Sequence, residues 1–344
     1  MKKILIICHL KENRFDGQQS KTNDVIFSFR KRGYDVDILN YGHCSSFTLI
    51  FKSLKRIRSH RNILMLPGGK KALFLYAFLS RFFKNKNFYY LAVGGWVTDL
   101  IQSKSSRRKL KPLKKFKSIV LQNKQSVEIF SKYGFTNVCF IPTFSSKPQI
   151  TDEEFRKSLI NFDNINQYRF CFFARIEETK GIFEACNVIK RLAKENYNVK
   201  LDIYGQIQKE EVKSKLSNYL DENISYLGIL HDDSVKTLST YYCMLFPTYY
   251  KGEGMAHSII ESFMAGLPVI ASDWKFNSEL VKENENGFLV NLDNLENNLY
   301  DKILYAIKHS EIVKKMRFTC FETSKKYNSE SVLKTFIDTV DKYY

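Results

Sequence analysis

Three charged side chains in the second half of the chain have the types and spacing for group-transfer chemistry: Arg175, Lys180 and Glu253. Arg175 and Lys180 stand in the stretch FFARIEETKG, where an apolar run gives way to two fixed cations. Cations at the carboxyl end of a strand suit a diphosphate, whose departure as a leaving group develops negative charge that they stabilise. Each charge-assisted hydrogen bond contributes about 1.5–3 kcal/mol. The same cations also fit surface ion pairs with Glu177 or Glu178. Glu253 lies between Gly252 and Gly254, shortly before a helix expected to start near Ser258. Free backbone N–H groups and the helix dipole favour an anion there, and a carboxylate beside them accepts hydrogen bonds from hydroxyls. That combination fits a sugar nucleotide. Glu261 has two readings, because Ser258-Ile259-Ile260-Glu261 also spells a capping box.

Other motifs fall short. Asp35-Val36-Asp37 spells D-x-D but lies in an alternating strand pattern, and none of the six histidines pairs at metal-ligand spacing, so no metal is expected. Pro67-Gly68-Gly69-Lys70-Lys71 lacks the upstream glycine and the Ser/Thr of a P-loop. Gly252-Glu253-Gly254 starts a dinucleotide fingerprint, but His257 stands where its third glycine belongs.

The elements that must position these residues follow a βα alternation, which predicts an α/β fold with doubly wound parallel sheets. In the first half, strands are expected over 3–8, 36–39, 62–66, 88–93, 118–122 and 137–141; in the second, over 168–174, 199–204, 224–227, 243–248, 268–272 and 287–290. Turn formers at 143–148 mark a linker, giving domains 1–145 and 146–328 and a final amphipathic helix, 329–344, packing back towards the first. In such sheets ligands sit beyond the carboxyl ends of the strands, and with two domains the natural site is the cleft between them.

With 344 residues, 44% of them apolar, the chain has the composition of a folded protein, and its length suits two cores. Its longest apolar run, 72–79, is far short of the roughly 20 residues that cross a bilayer. The start, 1–10, mimics a signal peptide, but Lys11, Glu12 and Arg14 follow where small residues belong. Seven cysteines (8, 44, 139, 171, 186, 243, 320) without C-x-x-C spacing fit a reduced, cytoplasmic chain. Charge divides the halves: residues 1–150 hold 29 Lys and Arg against 7 Asp and Glu, a net +22, while 151–344 hold 25 against 29. Basic blocks at 52–61, 70–86 and 104–117 suit nucleic acid or an anionic membrane. They lack the interleaved stacking aromatics of a nucleic-acid binder, so no nucleic acid is expected. The lysine-flanked stretch 72–83 is either a partly inserted segment or a helix buried between two strands.

The ordered set Arg175-x4-Lys180-Gly181, Ile203-Tyr204-Gly205, Gly228, Phe246-Pro247-Thr248, Glu253-x7-Glu261, Ala265-Gly266-Leu267-Pro268-Val269-Ile270, Glu279 and Asn286-Gly287 resembles the retaining glycosyltransferases of family 4, glycosyl transferases group 1. The resemblance is strongest over 168–290. It implies a GT-B fold and a metal-independent retaining transfer from a nucleotide-sugar, with no cofactor. It implies that Arg175 and Lys180 hold the diphosphate and Glu253 contacts the donor sugar. Glu261 would bind the ribose, and Gly254, Met255, Ala256, His257 and Ser258 would lie along sugar and phosphates, with Gly205 nearby. In the first domain, Gly17 and Lys21 of the stretch 16–22 match a phosphate- and acceptor-approaching loop, and Gly95 a turn facing the cleft. The chain departs from the family in lacking a sugar-contacting histidine in the first domain, and in Lys275-Phe276 where many members have paired glycines. The implied setting is bacterial surface polysaccharide or capsule synthesis on a lipid-linked glycan acceptor, with the enzyme peripheral on the inner face of the membrane. A nucleotide-sugar epimerase of GT-B type would need an acid–base pair that the sequence does not display. Alanine at Glu253 or Lys180 is expected to abolish transfer with the fold intact.

Overall fold

The computed structural model describes residues 2–10, 17–41, 46–92, 94–230 and 233–344. Asp16 of the first-domain loop, Val93 at the end of an expected strand, Cys44 and the residues Lys11, Glu12 and Arg14 lie outside them. The chain divides into two compact units, Met1–Ser146 with Asn328–Tyr344, and Lys147–Tyr327.

The first unit holds β1 (Lys2–Cys8), α1 (Gly17–Lys31), β2 (Tyr34–Asn40), α2 (Ser46–Ser59), β3 (Asn62–Leu66), α3 (Lys70–Leu79), β4 (Asn87–Leu91), α4 (Trp96–Gln102), α5 (Lys104–Leu110), β5 (Ser118–Leu121), α6 (Lys124–Lys132) and β6 (Val138–Phe140). All strands pair in parallel, in the order β2-β1-β3-β4-β5-β6. Because helices cover both faces, β3, β4 and β5 are buried along their whole length and read as unbroken apolar runs rather than alternations. The second unit holds α7 (Asp152–Asp163), β7 (Tyr168–Phe173), α8 (Ile182–Lys194), β8 (Val199–Tyr204), α9 (Glu210–Ser217), β9 (Ile224–Tyr226), α10 (Ser234–Leu238), β10 (Cys243–Phe246), α11 (His257–Met264), β11 (Val269–Ser272), α12 (Asn277–Leu280), β12 (Gly287–Val290), α13 (Leu295–Lys308) and α14 (Ser310–Ser324). Its parallel sheet runs β12-β11-β10-β7-β8-β9. The strand order reverses between β7 and β10, so a crevice opens at their carboxyl ends.

The closing helix α15 (Ser329–Asp341) belongs to the first unit. The Asn328 side chain caps it by accepting from the Glu330 N–H. Leu333, Phe336, Ile337 and Val340 are buried on one face, and the Phe336 ring meets Phe29 of α1 edge-on at 6.1 Å. Six cysteines among the described residues are free thiols.

Candidate functional site

Arg175 follows β7, and Pro247 and Thr248 follow β10, so the residues singled out for anion chemistry leave the sheet at its switch point. Lys180 ends a single 3-10 turn, Glu178–Lys180, and Gly181 then starts α8 at a φ of +78°. A Cβ on Gly181 would lie 2.2 Å from the Pro247 carbonyl oxygen, so glycine is what lets the two loops touch. Gly205, after β8, is held as tightly, since its Cβ would fall 1.7 Å from the Ala174 oxygen.

Across that contact the Lys180 ammonium meets a carboxylate oxygen of Glu253 at 2.6 Å, with both residues buried. The Thr248 hydroxyl donates to the same oxygen at 2.9 Å. The Tyr250 ring lies beneath both cations, 5.0 Å from the Lys180 ammonium and 5.2 Å from the Arg175 guanidinium. Arg175 also forms the ion pair with Glu177, at 3.0 Å. The Tyr250 carbonyl accepts from the Trp274 indole at 2.8 Å, which ties this loop to the one after β11. Arg175, Lys180 and Glu253 therefore gather around one aromatic ring. The patch brings together two cations, each paired with a carboxylate, and a hydroxyl, group types that suit a phosphate and a polyol.

Glu261 occupies the second turn region of α11, and the capping box does not form. The helix begins at His257, with Ala256 as the N-cap residue and no side-chain cap. Glu261 is buried: one oxygen takes His257 Nδ1 at 2.8 Å and the other takes the Lys147 ammonium at 3.0 Å and the Ser234 hydroxyl. Burial works to raise its pKa, but the His257 hydrogen bond and charge, the Lys147 charge and the Ser234 hydroxyl outweigh it and bring the carboxyl down to about 2. Glu261 is thus a permanently ionised acceptor at neutral pH. Met255 and Ala256 are buried, and Gly254 and Ser258 half-buried, in the same lead into α11.

In the first unit the expected loop at 16–22 is, from Gly17 on, the first turns of α1. Gly17 is exposed, whereas Lys21 is buried and donates to the side-chain amide oxygen Oε1 of Gln122 at 3.0 Å, just beyond β5. Its place inside the helix is what turns it over the sheet's carboxyl edge. Gly95 is buried as the N-cap residue of α4. Asp37 of the D-x-D is spent on Arg56 at 2.9 Å, inside β2. Among the described residues, no group of three or more His, Cys, Asp and Glu could hold a metal ion.

Sequence reasoning missed Tyr250, Lys147 and Ser234, and gave Thr248 only as part of the Phe246-Pro247-Thr248 run. An aromatic four residues after a strand, or a lysine in a turn-rich linker, carries no signal until the fold brings it to its partner. At Lys275, φ is +53°, the left-handed conformation that glycine favours.

The sheet orders and parallel strands define a GT-B architecture of two Rossmann-like α/β domains. Residues 152–319 match the family model of the glycosyl transferases group 1. The chain is 27% identical over 229 residues to a poly(ribitol-phosphate) α-N-acetylglucosaminyltransferase of Staphylococcus aureus, covering 64% of this chain and 43% of that one. It is 27% identical over 160 residues to the capsular polysaccharide biosynthesis glycosyltransferase CapM of Staphylococcus aureus, covering 46% of this chain and 40% of that one. The chain thus spans less than half the length of these curated relatives. The structure of Anabaena HepE in complex with UDP-glucose superposes with a TM-score of 0.78 at 15% identity, covering 99% of this chain and 100% of that one. The second unit is thus similar to the glycosyl transferases group 1, and the chain shares its two-domain fold with the solved structure.

Proposed function

We propose that the chain is a retaining glycosyltransferase of family 4 that moves a hexosyl group from a nucleotide-sugar to a lipid-linked glycan during bacterial surface polysaccharide synthesis, as a cytoplasmic enzyme working at the membrane. The observation that carries this reading is the grouping of Arg175, Lys180 and Glu253 around Tyr250 at the switch point of the second sheet. In this reading Arg175 and Lys180 bind the diphosphate, Glu253 and Thr248 orient the donor sugar, and Glu261 accepts from the ribose hydroxyls. The acceptor hydroxyl attacks the anomeric carbon on the face the diphosphate leaves, and its proton passes to the departing phosphate oxygen. The two cations take up the charge that develops there, so transfer runs without a metal.

Binding to the folded state raises the melting temperature, so a thermal-shift screen against UDP, GDP, ADP, CMP and their sugars identifies the donor. The expected result is one responsive nucleotide and transfer that survives EDTA with the anomeric configuration kept, read by NMR of the product. A chain that no nucleotide stabilises, or a product of inverted configuration, overturns the proposal.

A further inference from the structure

The stretch 46–117 carries 18 Lys and Arg, and its only carboxylate is Asp99. The fold puts much of this charge on one layer of the first unit, where α2, α3 and α5 pack against the same side of the sheet. Helix α3 turns Leu73, Tyr76 and Ala77 inward to that core. Its other side does not match a buried helix. Lys71 and Phe78 are exposed on it, two turns apart, with Leu75 between them only partly buried against the core, and the following 3-10 turn, Ser80–Phe82, extends the line to Phe82. Phe78 is 51% and Phe82 67% exposed, and their rings meet edge-on at 5.3 Å in the open. Around them stand exposed Lys71, Arg81 and Lys84, and α5 brings the Lys109 ammonium to 5.2 Å from the Phe74 ring. On the neighbouring α2, joined to α3 by the Ser53 and Tyr76 hydroxyls at 3.0 Å, Phe51 is 79% exposed in line with exposed Lys55 and Arg58.

Exposed phenyl groups set among lysines and arginines are costly in water and gain at one kind of surface, where apolar tips enter the acyl boundary and cations meet anionic headgroups. Among the described residues no helix is long and apolar enough to cross a membrane. We infer that the α2–α3–α5 face of the first unit docks on an anionic lipid bilayer, with Phe78 and Phe82 as the inserting pair. A soluble polyanion would use the charge and leave the phenyl rings without a role. This deepens the reading of a lipid-linked acceptor and rests on it, yet it is measured without any transfer assay. Two lysines of the 104–117 block are engaged within the chain instead, Lys114 donating to the Tyr133 carbonyl and Lys117 lying over the Tyr343 ring.

The test is flotation of the full chain with vesicles of phosphatidylcholine alone or with roughly a third phosphatidylglycerol, at low and high salt. Binding is expected only to the anionic vesicles, weakening as salt rises. The double variant Phe78→Ser with Phe82→Ser is expected to lose about tenfold or more of that affinity. Its melting temperature and its response to the donor nucleotide should equal the parent's. Vesicle binding that is indifferent to the double substitution overturns the inference, as does equal binding to neutral vesicles. So does polyphosphate that binds as tightly and is equally indifferent to the two phenyl rings, because the face would then be a polyanion site. If the nucleotide response is absent from the parent while vesicles still bind, the transferase reading fails and the docking face stands.

Discussion

The Lys180 ammonium and the Glu253 carboxylate form a closed pair, 2.6 Å apart and both buried, at the point where the loops after β7 and β10 meet. The pair joins two roles that the sequence presents as separate, one cation for phosphate and one carboxylate for sugar. Without a ligand each neutralises the other. The Thr248 hydroxyl donates to the same Glu253 oxygen and shares its charge.

Single substitutions here should therefore cost stability as well as activity, which departs from the expectation that the fold stays intact. Removing one partner of a buried pair leaves the other charge uncompensated and costs about 3–5 kcal/mol. Lys180→Met or Glu253→Leu alone is expected to melt well below the parent, while the two together recover most of the loss and still transfer no sugar. Calorimetry and a transfer assay on the three variants check this. A single variant as stable as the parent would show that the pair is open to water.

Glu261 gives a prediction in acid. Its folded pKa, about 2, lies below the ordinary 4.5, so the fold favours the ionised form. That contribution, roughly 3 kcal/mol, is complete above pH 4.5 and drains away as the pH falls from there towards 2. Urea midpoints measured between pH 4.5 and 3 should drop less steeply for Glu261→Gln than for the parent. Parallel slopes would mean that His257, Lys147 and Ser234 do not hold the carboxylate as described.

Much of the architecture was legible because βα alternation and unbroken apolar strands leave few topologies, and because Gly181 and Gly205 mark backbone approaches that only glycine permits. The second-unit site was legible to the extent that its residues lie within a few positions of strand ends. Two things were hidden. Helix α1 absorbs the stretch from Gly17 onward because Val25, Ile26 and Phe29 bury a face that the polar residues before them disguise. The partners of Glu261 come from 114 and 27 residues away, a distance over which sequence spacing says nothing. The capping box failed for a related reason: once Lys147 and Ser234 reach the carboxylate, it gains more from them than from a backbone N–H at its own helix start.

Lys275 offers the last test, at the place where the chain departs from the family pattern. A non-glycine residue at a φ of +53° carries strain of about 1 kcal/mol, and glycine would relieve it while adding about 0.5–1 kcal/mol of unfolded-state entropy. The loss of the ammonium 5.7 Å from the Trp274 ring is a small further term. Lys275→Gly should consequently melt within about 1 kcal/mol of the parent. If Arg175 and Lys180 grip the diphosphate and the Lys275 ammonium does not touch it, the KM for the donor should change by less than about threefold, which is under about 0.7 kcal/mol of binding free energy. A tenfold rise in KM at unchanged stability would assign the Lys275 ammonium to the leaving group, as a third cation beside Arg175 and Lys180.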